Sequence, residues 1–203
     1  RSWVASVVAL QGRPPLRVAV GAALALVLLI GVGLAVQSWL GVAQAQTAVL
    51  EPVEGLVELR AAGQEAWVRA AVPQPVSAGD AVRTGAAGSA RLAFADGSIT
   101  ELGSGTLLTV EQMMGRRHGI AQVVVLHQEQ GETVHSVEPL RGAGARFVVE
   151  TPSATALVRG TRFAVSVAQD GTTQVGLVKG SVDVTFDQTT VTLKPGWAYT
   201  VPA

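Results

Sequence analysis

ARLAFADGSITELGSGTLLTV, residues 90–110, is the stretch whose reading decides the fold. Its runs ARLAFA (90–95), SITEL (98–102) and TLLTV (106–110) carry apolar, β-branched or aromatic residues at strand-like spacing. Asp96-Gly97 separates the first two runs where a two-residue turn needs positive φ, which Gly supplies at little cost, so the pair predicts a β-hairpin. The pattern continues outward in both directions. Upstream lie VEGLVEL (53–59) and EAWVRA (65–70). Downstream lie AQVVVLH (121–127), ARFVVE (145–150), FAVSVA (163–168), TQVGLV (173–178), SVDVTF (181–186), TVTL (190–193) and AYTV (198–201). Asp170-Gly171 predicts a second hairpin and Lys179-Gly180 a third turn. Short runs recurring without a helical period predict an all-β domain, a β-sandwich or β-roll of short antiparallel strands. EQMMGRRHG (111–119) is the longest segment without a strand pattern before the C-terminal runs, so two lobes are expected, at about 52–112 and 120–203.

A different pattern precedes the domain. Val18 to Val36 contains no charged or strongly polar residue, and nineteen residues at about 1.5 Å each span the roughly 30 Å hydrocarbon core of a bilayer. Residues 17–42 are therefore expected to be a transmembrane helix, 1–16 a short cytoplasmic segment and 43–51 a linker. A cleavable signal peptide is the rival, with Ala43 and Ala45 as a small-residue cleavage site, but its apolar region is usually about 7–15 residues. Arg1, Arg13 and Arg17 precede the apolar run and no acidic residue does, which places the N-terminus in the cytoplasm and the β domain outside it, on the cell (inner) membrane. Trp39 then falls at the outer interface.

Composition narrows the chemistry. The 203 residues carry 15 basic and 15 acidic side chains and a formal net charge of +0, so no overall field draws the chain to nucleic acid. The absence of cysteine removes disulfides, thiolate metal sites and cysteine nucleophiles. His118, His127 and His135 are the only imidazoles; Glu129 and Glu132 stand near two of them, yet no ligand motif is formed and no metal is expected. Ser104 in LGSGT lacks the spacing of a nucleophile elbow and no helix follows it. Gly142-Ala143-Gly144 lacks the third glycine of a dinucleotide fingerprint and precedes a strand. Trp67, Trp197 and Tyr199 are the only aromatics that would suit a carbohydrate. No catalytic residue, cofactor or small-molecule ligand is expected. Arg159 and Arg162, around Gly160, and the basic pair Arg116 and Arg117, beside His118, are the candidates for contact with a partner protein. Gly160 itself is expected to allow a backbone kink or a close strand approach.

Two segments resemble the FecR family. AGDAVRTGAAGSARLAFADGSITELGSGTLLTV (78–110) looks like the first half of a FecR domain, with its Gly-Asp, Arg-Thr-Gly, apolar strand and Asp-Gly-Ser. TPSATALVRGTRFAVSVAQDGTTQVGLVKGSVDV (151–184) resembles the second, with Thr-Pro, a short strand, Arg-Gly-Thr and an aromatic opening the next strand; LKPGWAYTV (193–201) resembles the closing strand pair. The resemblance implies a non-enzymatic, extracytoplasmic β domain behind one membrane helix that binds a partner protein and relays a signal towards the cytoplasm. Signalling members usually carry a helical sigma-regulating domain before the membrane helix, whereas sixteen residues precede Arg17. The alternative expectation is a structural or assembly subunit that anchors an envelope complex.

Overall fold

The computed structural model describes residues 44–203 except 116–120, 141 and 143. The segments expected at 1–16 and 17–42, together with Arg116, Arg117 and His118, lie outside the described residues. Among the described residues there is no helix, hence none long and apolar enough to cross a membrane.

The described residues form seventeen strands, beginning with β1 (Gln44–Ala45), β2 (Ala48–Glu54), β3 (Val57–Arg60), β4 (Val68–Arg69), β5 (Gln74–Val76), β6 (Ala81–Thr84), β7 (Ser89–Ala93), β8 (Ile99–Leu102) and β9 (Leu107–Gly115). They continue with β10 (Ala121–Ser136), β11 (Arg146–Glu150), β12 (Thr155–Val158), β13 (Arg162–Val167), β14 (Thr173–Lys179), β15 (Val182–Phe186), β16 (Thr189–Leu193) and β17 (Ala198–Val201). Period-two alternation selects the buried face: Ala90 and Leu92 of β7, Phe163, Val165 and Val167 of β13, and Val182 and Val184 of β15 all point into one hydrophobic core.

Pairing arranges the strands in two sheets. One runs β4-β3-β6-β9-β10-β11-β12-β15-β16, with β1 on the far end of β9. The other runs β5-β2-β7-β8-β10-β13-β14-β17. β10 belongs to both. Ala121–Gln130 pairs with β9, and within it Val123–His127 also pairs with β11; Gly131–Ser136 pairs with β13, and within it Thr133–Ser136 also pairs with β8. The strand changes sheets at Gly131, whose φ is +91° and where a Cβ would stand 2.4 Å from Thr106 Cα. Only glycine fits there.

The pairing also repeats. β6 pairs with β9, β7 with β8, β9 with the first half of β10, and β8 with its second half. Six strands later β12 pairs with β15, β13 with β14, β15 with β16, and β14 with β17. The two Asp-Gly hairpins occupy equivalent places with the same bonds. Gly97 N donates to Phe94 O and Ser98 N to Asp96 Oδ1; Gly171 N donates to Ala168 O and Thr172 N to Asp170 Oδ1. The Thr172 amide holds the Asp170 carboxyl below the usual carboxylate range.

Several expectations change. The Asp-Gly loops have three residues, a turn followed by glycine at positive φ, and not two. The two-residue hairpin is Asp187-Gln188, both at positive φ without being glycine. Lys179-Gly180 does turn the chain, but it carries it from one sheet to the other. β11 runs parallel to β10, because the connection through 137–145 returns the chain to the first sheet before β11 begins. Most of the expected linker is strand: Ala48 and Leu50 of β2 are fully buried. Residues 111–115 extend β9, and the described residues from 44 onward form one compact unit in which β10 joins the two expected lobes.

A polar chain crosses the core beside Gly131. Thr100, Gln128, Thr133 and His135 are buried, and their bonds select one tautomer. Thr133 donates to Gln128 Oε1 at 2.7 Å, so it accepts from His135 Nε2 at 2.7 Å, leaving Nδ1 to accept from Thr100 at 2.9 Å. The ring stacks on Phe163 with centroids 4.7 Å apart, and Phe147 meets it edge-on at 5.6 Å. Burial lowers the His135 pKa to about 3.

Two predictions follow from this centre. Gly131→Ala should cost at least about 2 kcal/mol, read as a lowered urea midpoint, because a β-carbon has neither the φ nor the space. Because the unfolded chain protonates His135 near pH 6.5 and the folded chain does not until about pH 3, stability should be complete above about pH 6.5. It should then fall by up to about 1.4 kcal/mol per pH unit as the solution is acidified through that window. Urea titrations at pH 7 and pH 5 on wild type and His135→Gln should show a shallower pH dependence in the variant.

Candidate partner-binding site

The Arg-Thr-Gly and Arg-Gly-Thr motifs stand at equivalent corners, where the chain leaves the first sheet for the second. At the first corner Thr84, the last residue of β6, donates through Oγ1 to Gly103 O at 2.6 Å and accepts from Thr106 N at 2.9 Å. At the second, Thr161 donates to Ser181 O at 3.1 Å. Both threonines are buried and each ties its corner to the loop where the chain crosses back. Asp80, also buried, accepts the amides of Ala62 and Ser77, each at 2.8 Å. These motif residues are therefore structural.

The second corner is tightly built. Val137 and Thr161 exchange backbone hydrogen bonds of 2.9 and 3.0 Å. Gly160 has φ +121°, and a Cβ there would lie 2.8 Å from Pro139 Cα, which bears out the close approach expected of it. A Cβ on Gly180 would lie 2.9 Å from Gly160 O. A groove of about 450 Å³ opens over this corner, with Glu138, Arg162 and Lys179 among its walls. Arg159 lies in a neighbouring depression of about 190 Å³ with Ser181 and Asp183.

Charge sets the groove apart from ordinary surface. Arg162 is the direct cross-strand partner of Lys179, and like charges so placed repel. Arg159, Arg162 and Lys179 are exposed, and none makes an ion pair among the described residues. Three cations around a rigid corner suit a carboxylate-bearing surface. Lys179 is absent from the candidates read in the sequence because its pairing with Arg162 depends on the register of β13 against β14; its only sequence signal is the turn Lys179-Gly180.

The remaining candidates separate. His135 spends both ring nitrogens on threonines, and among the described residues no three His, Asp or Glu side chains gather as metal ligands. Trp67 lies under two guanidinium groups, with Arg60 Cζ at 4.8 Å and Arg83 Cζ at 4.4 Å from the ring centroid. Arg83 also meets Glu58 at 2.6 Å, and that hydrogen bond lowers the Glu58 pKa. Tyr199 stacks on Phe186, while Trp197 is 62% exposed and alone. Among the described residues these aromatics form no platform for a sugar.

The family described as FecR protein matches residues 80–183, just over half of the chain. The chain belongs to the FecR protein family. The FecR match takes in both corner threonines, both Asp-Gly hairpins and the groove residues Arg162 and Lys179. Two solved structures, each of a candidate anti-sigma factor from Parabacteroides distasonis ATCC 8503, are similar at 21% identity with TM-scores of 0.48 and 0.46. The likeness covers 60% of this chain and 59% of the other, so this FecR chain spans under two thirds of that protein's length. No curated protein matches it.

Gly160→Val should lower domain stability by at least about 2 kcal/mol through backbone strain. Arg159→Ala should change it by no more than about 0.5 kcal/mol, and Lys179→Glu should raise it by about 0.2–1 kcal/mol by turning a repulsive pair into an attractive one. Thermal unfolding of the three variants reads these differences.

Proposed function

We propose that the chain is a single-pass membrane protein whose β domain lies outside the cytoplasm, binds a partner protein and relays its signal inward. Membership of the FecR family carries the regulatory, signalling role. The uncharged run Val18–Val36 behind Arg1, Arg13 and Arg17 supports an anchor at 17–42 with a cytoplasmic N-terminus. The unpaired cations Arg159, Arg162 and Lys179 support contact with an acidic face of the partner. Arg116 and Arg117 extend the proposal to a second basic cluster in the sequence. No step calls on catalysis, a cofactor or a metal.

The test places the full chain in cells that couple the partner's signal to a transcriptional reporter. Protease added from outside should remove residues beyond about 45, and deleting the β domain should abolish signal dependence. A triple Arg159→Ala, Arg162→Ala, Lys179→Ala variant at wild-type abundance should reduce induction at least tenfold. Undiminished induction by the triple variant overturns the groove as the contact. Unchanged output after domain deletion overturns signalling and favours a structural subunit instead.

A further inference from the structure

The two ends of the roll differ in how their edges are protected. At the N-terminal end the outer strands are β4, two residues long, and β5, whose centre is Pro75 with Pro73 just before it. A short strand and an edge proline are both obstacles to adding another strand. At the C-terminal end β16, TTVTL, is five residues long and contains neither proline nor charge. Among the described strands it pairs only with β15.

The internal repeat identifies what such an edge accepts. β16 is the equivalent of the first half of β10: each follows the strand that returns from the second sheet and pairs antiparallel with it, β10 with β9 and β16 with β15. On its other side β10 holds β11, parallel, over five residue pairs from Val123↔Arg146 to His127↔Glu150. On β16 that side is vacant among the described strands. The backbone is poised for it. The two-residue loop Asp187-Gln188 closes on Phe186 and Thr189, so hydrogen-bonded pairs fall at Thr189, Val191 and Leu193. The N–H and C=O groups of Thr190 and Thr192 consequently face away from β15. Beneath the edge, Phe186, Val191 and Tyr199 are only partly buried against the core. On the outer face, Thr190 bonds Thr185 at 3.0 Å and Thr192 bonds Asp183 at 2.6 Å, which ties the strand to β15.

We infer that β16 is a docking edge for an extended segment of a partner protein, added as a parallel strand with alternate apolar residues turned onto Phe186, Val191 and Tyr199. Main-chain hydrogen bonds supply the affinity and the apolar alternation supplies the selection. This edge is separate from the basic groove and does not depend on it.

The probe is a peptide of residues 144–158 of this chain, which contains β11, the strand that fills the equivalent place on β10. Fluorescence anisotropy on the full chain in detergent should show saturable binding that weakens at least tenfold in Thr190→Pro but not in Thr190→Val, which keeps the amide. Hydrogen exchange should show the Thr190 and Thr192 amides fast in the free chain and slowed by the peptide. A spin label on the peptide N-terminus should relax Thr189 more than Leu193. Absence of binding to wild type, equal binding to Thr190→Pro, or unprotected Thr190 and Thr192 amides overturns the inference. Relaxation strongest at Leu193 overturns the parallel direction. A dimer of the chain alone that Thr190→Pro abolishes makes a second copy the occupant and overturns the partner segment. If Thr190→Pro does not fold, amide protection in the wild type decides.

Discussion

Everything in this domain depends on a strand that hydrogen-bonds into two sheets. β10 lies between β9 and β11 in its first part and between β8 and β13 in its second, so it joins both sheets and both repeats. The transition is possible because Gly131 tolerates a positive φ against the backbone of Thr106. Beside it, Gln128, Thr133, His135 and Thr100 satisfy one another, so the bend brings polar groups into the core without leaving them unpaired. His135 is thereby a neutral core residue, and its place next to Phe147 and Phe163 is a consequence of the bend.

The family motifs acquire physical meaning in this frame. Thr84 and Thr161 fasten equivalent corners, and Asp96 and Asp170 fasten equivalent hairpins. The proposed partner contact falls to residues that the architecture displays without using them. Arg162 and Lys179 repel one another across a ladder whose packing is otherwise favourable, and the rigid corner at Gly160 keeps them in place. Such a cost is ordinary at a recognition surface, where charge complementarity contributes more to specificity and association rate than to folding.

Much of the fold was legible in the sequence. β7, β8, β11 and β13 to β17 fall on the alternating runs within a residue or two, since each has one face in the core. β5, β6 and the second half of β10 were not. β5 holds a proline, β6 has two adjacent buried residues, Ala81 and Val82, and β10 interrupts its apolar alternation with buried Gln128 and His135. Of the candidate site, Arg159 and Arg162 could be singled out because they flank Gly160 in a motif. Lys179 could not, since nothing local marks it as the neighbour of Arg162.

The sequence by itself determined the all-β class, the Asp-Gly hairpins and the glycine corner at 160, because period-two patterning and turn chemistry are local properties; its resemblance to the family lies in ordered motifs along residues 78–110 and 151–201. Only the tertiary structure decided which strands share a sheet, that β10 serves both, and that the pairing of β6 to β10 is repeated in β12 to β17. Pairing partners are chosen by core packing and loop closure across tens of residues, and an alternating run carries no label for its neighbour. The same holds for the outer edge of β16: its threonines are read from the sequence, but that no described strand pairs with this edge is a property of the finished sheet.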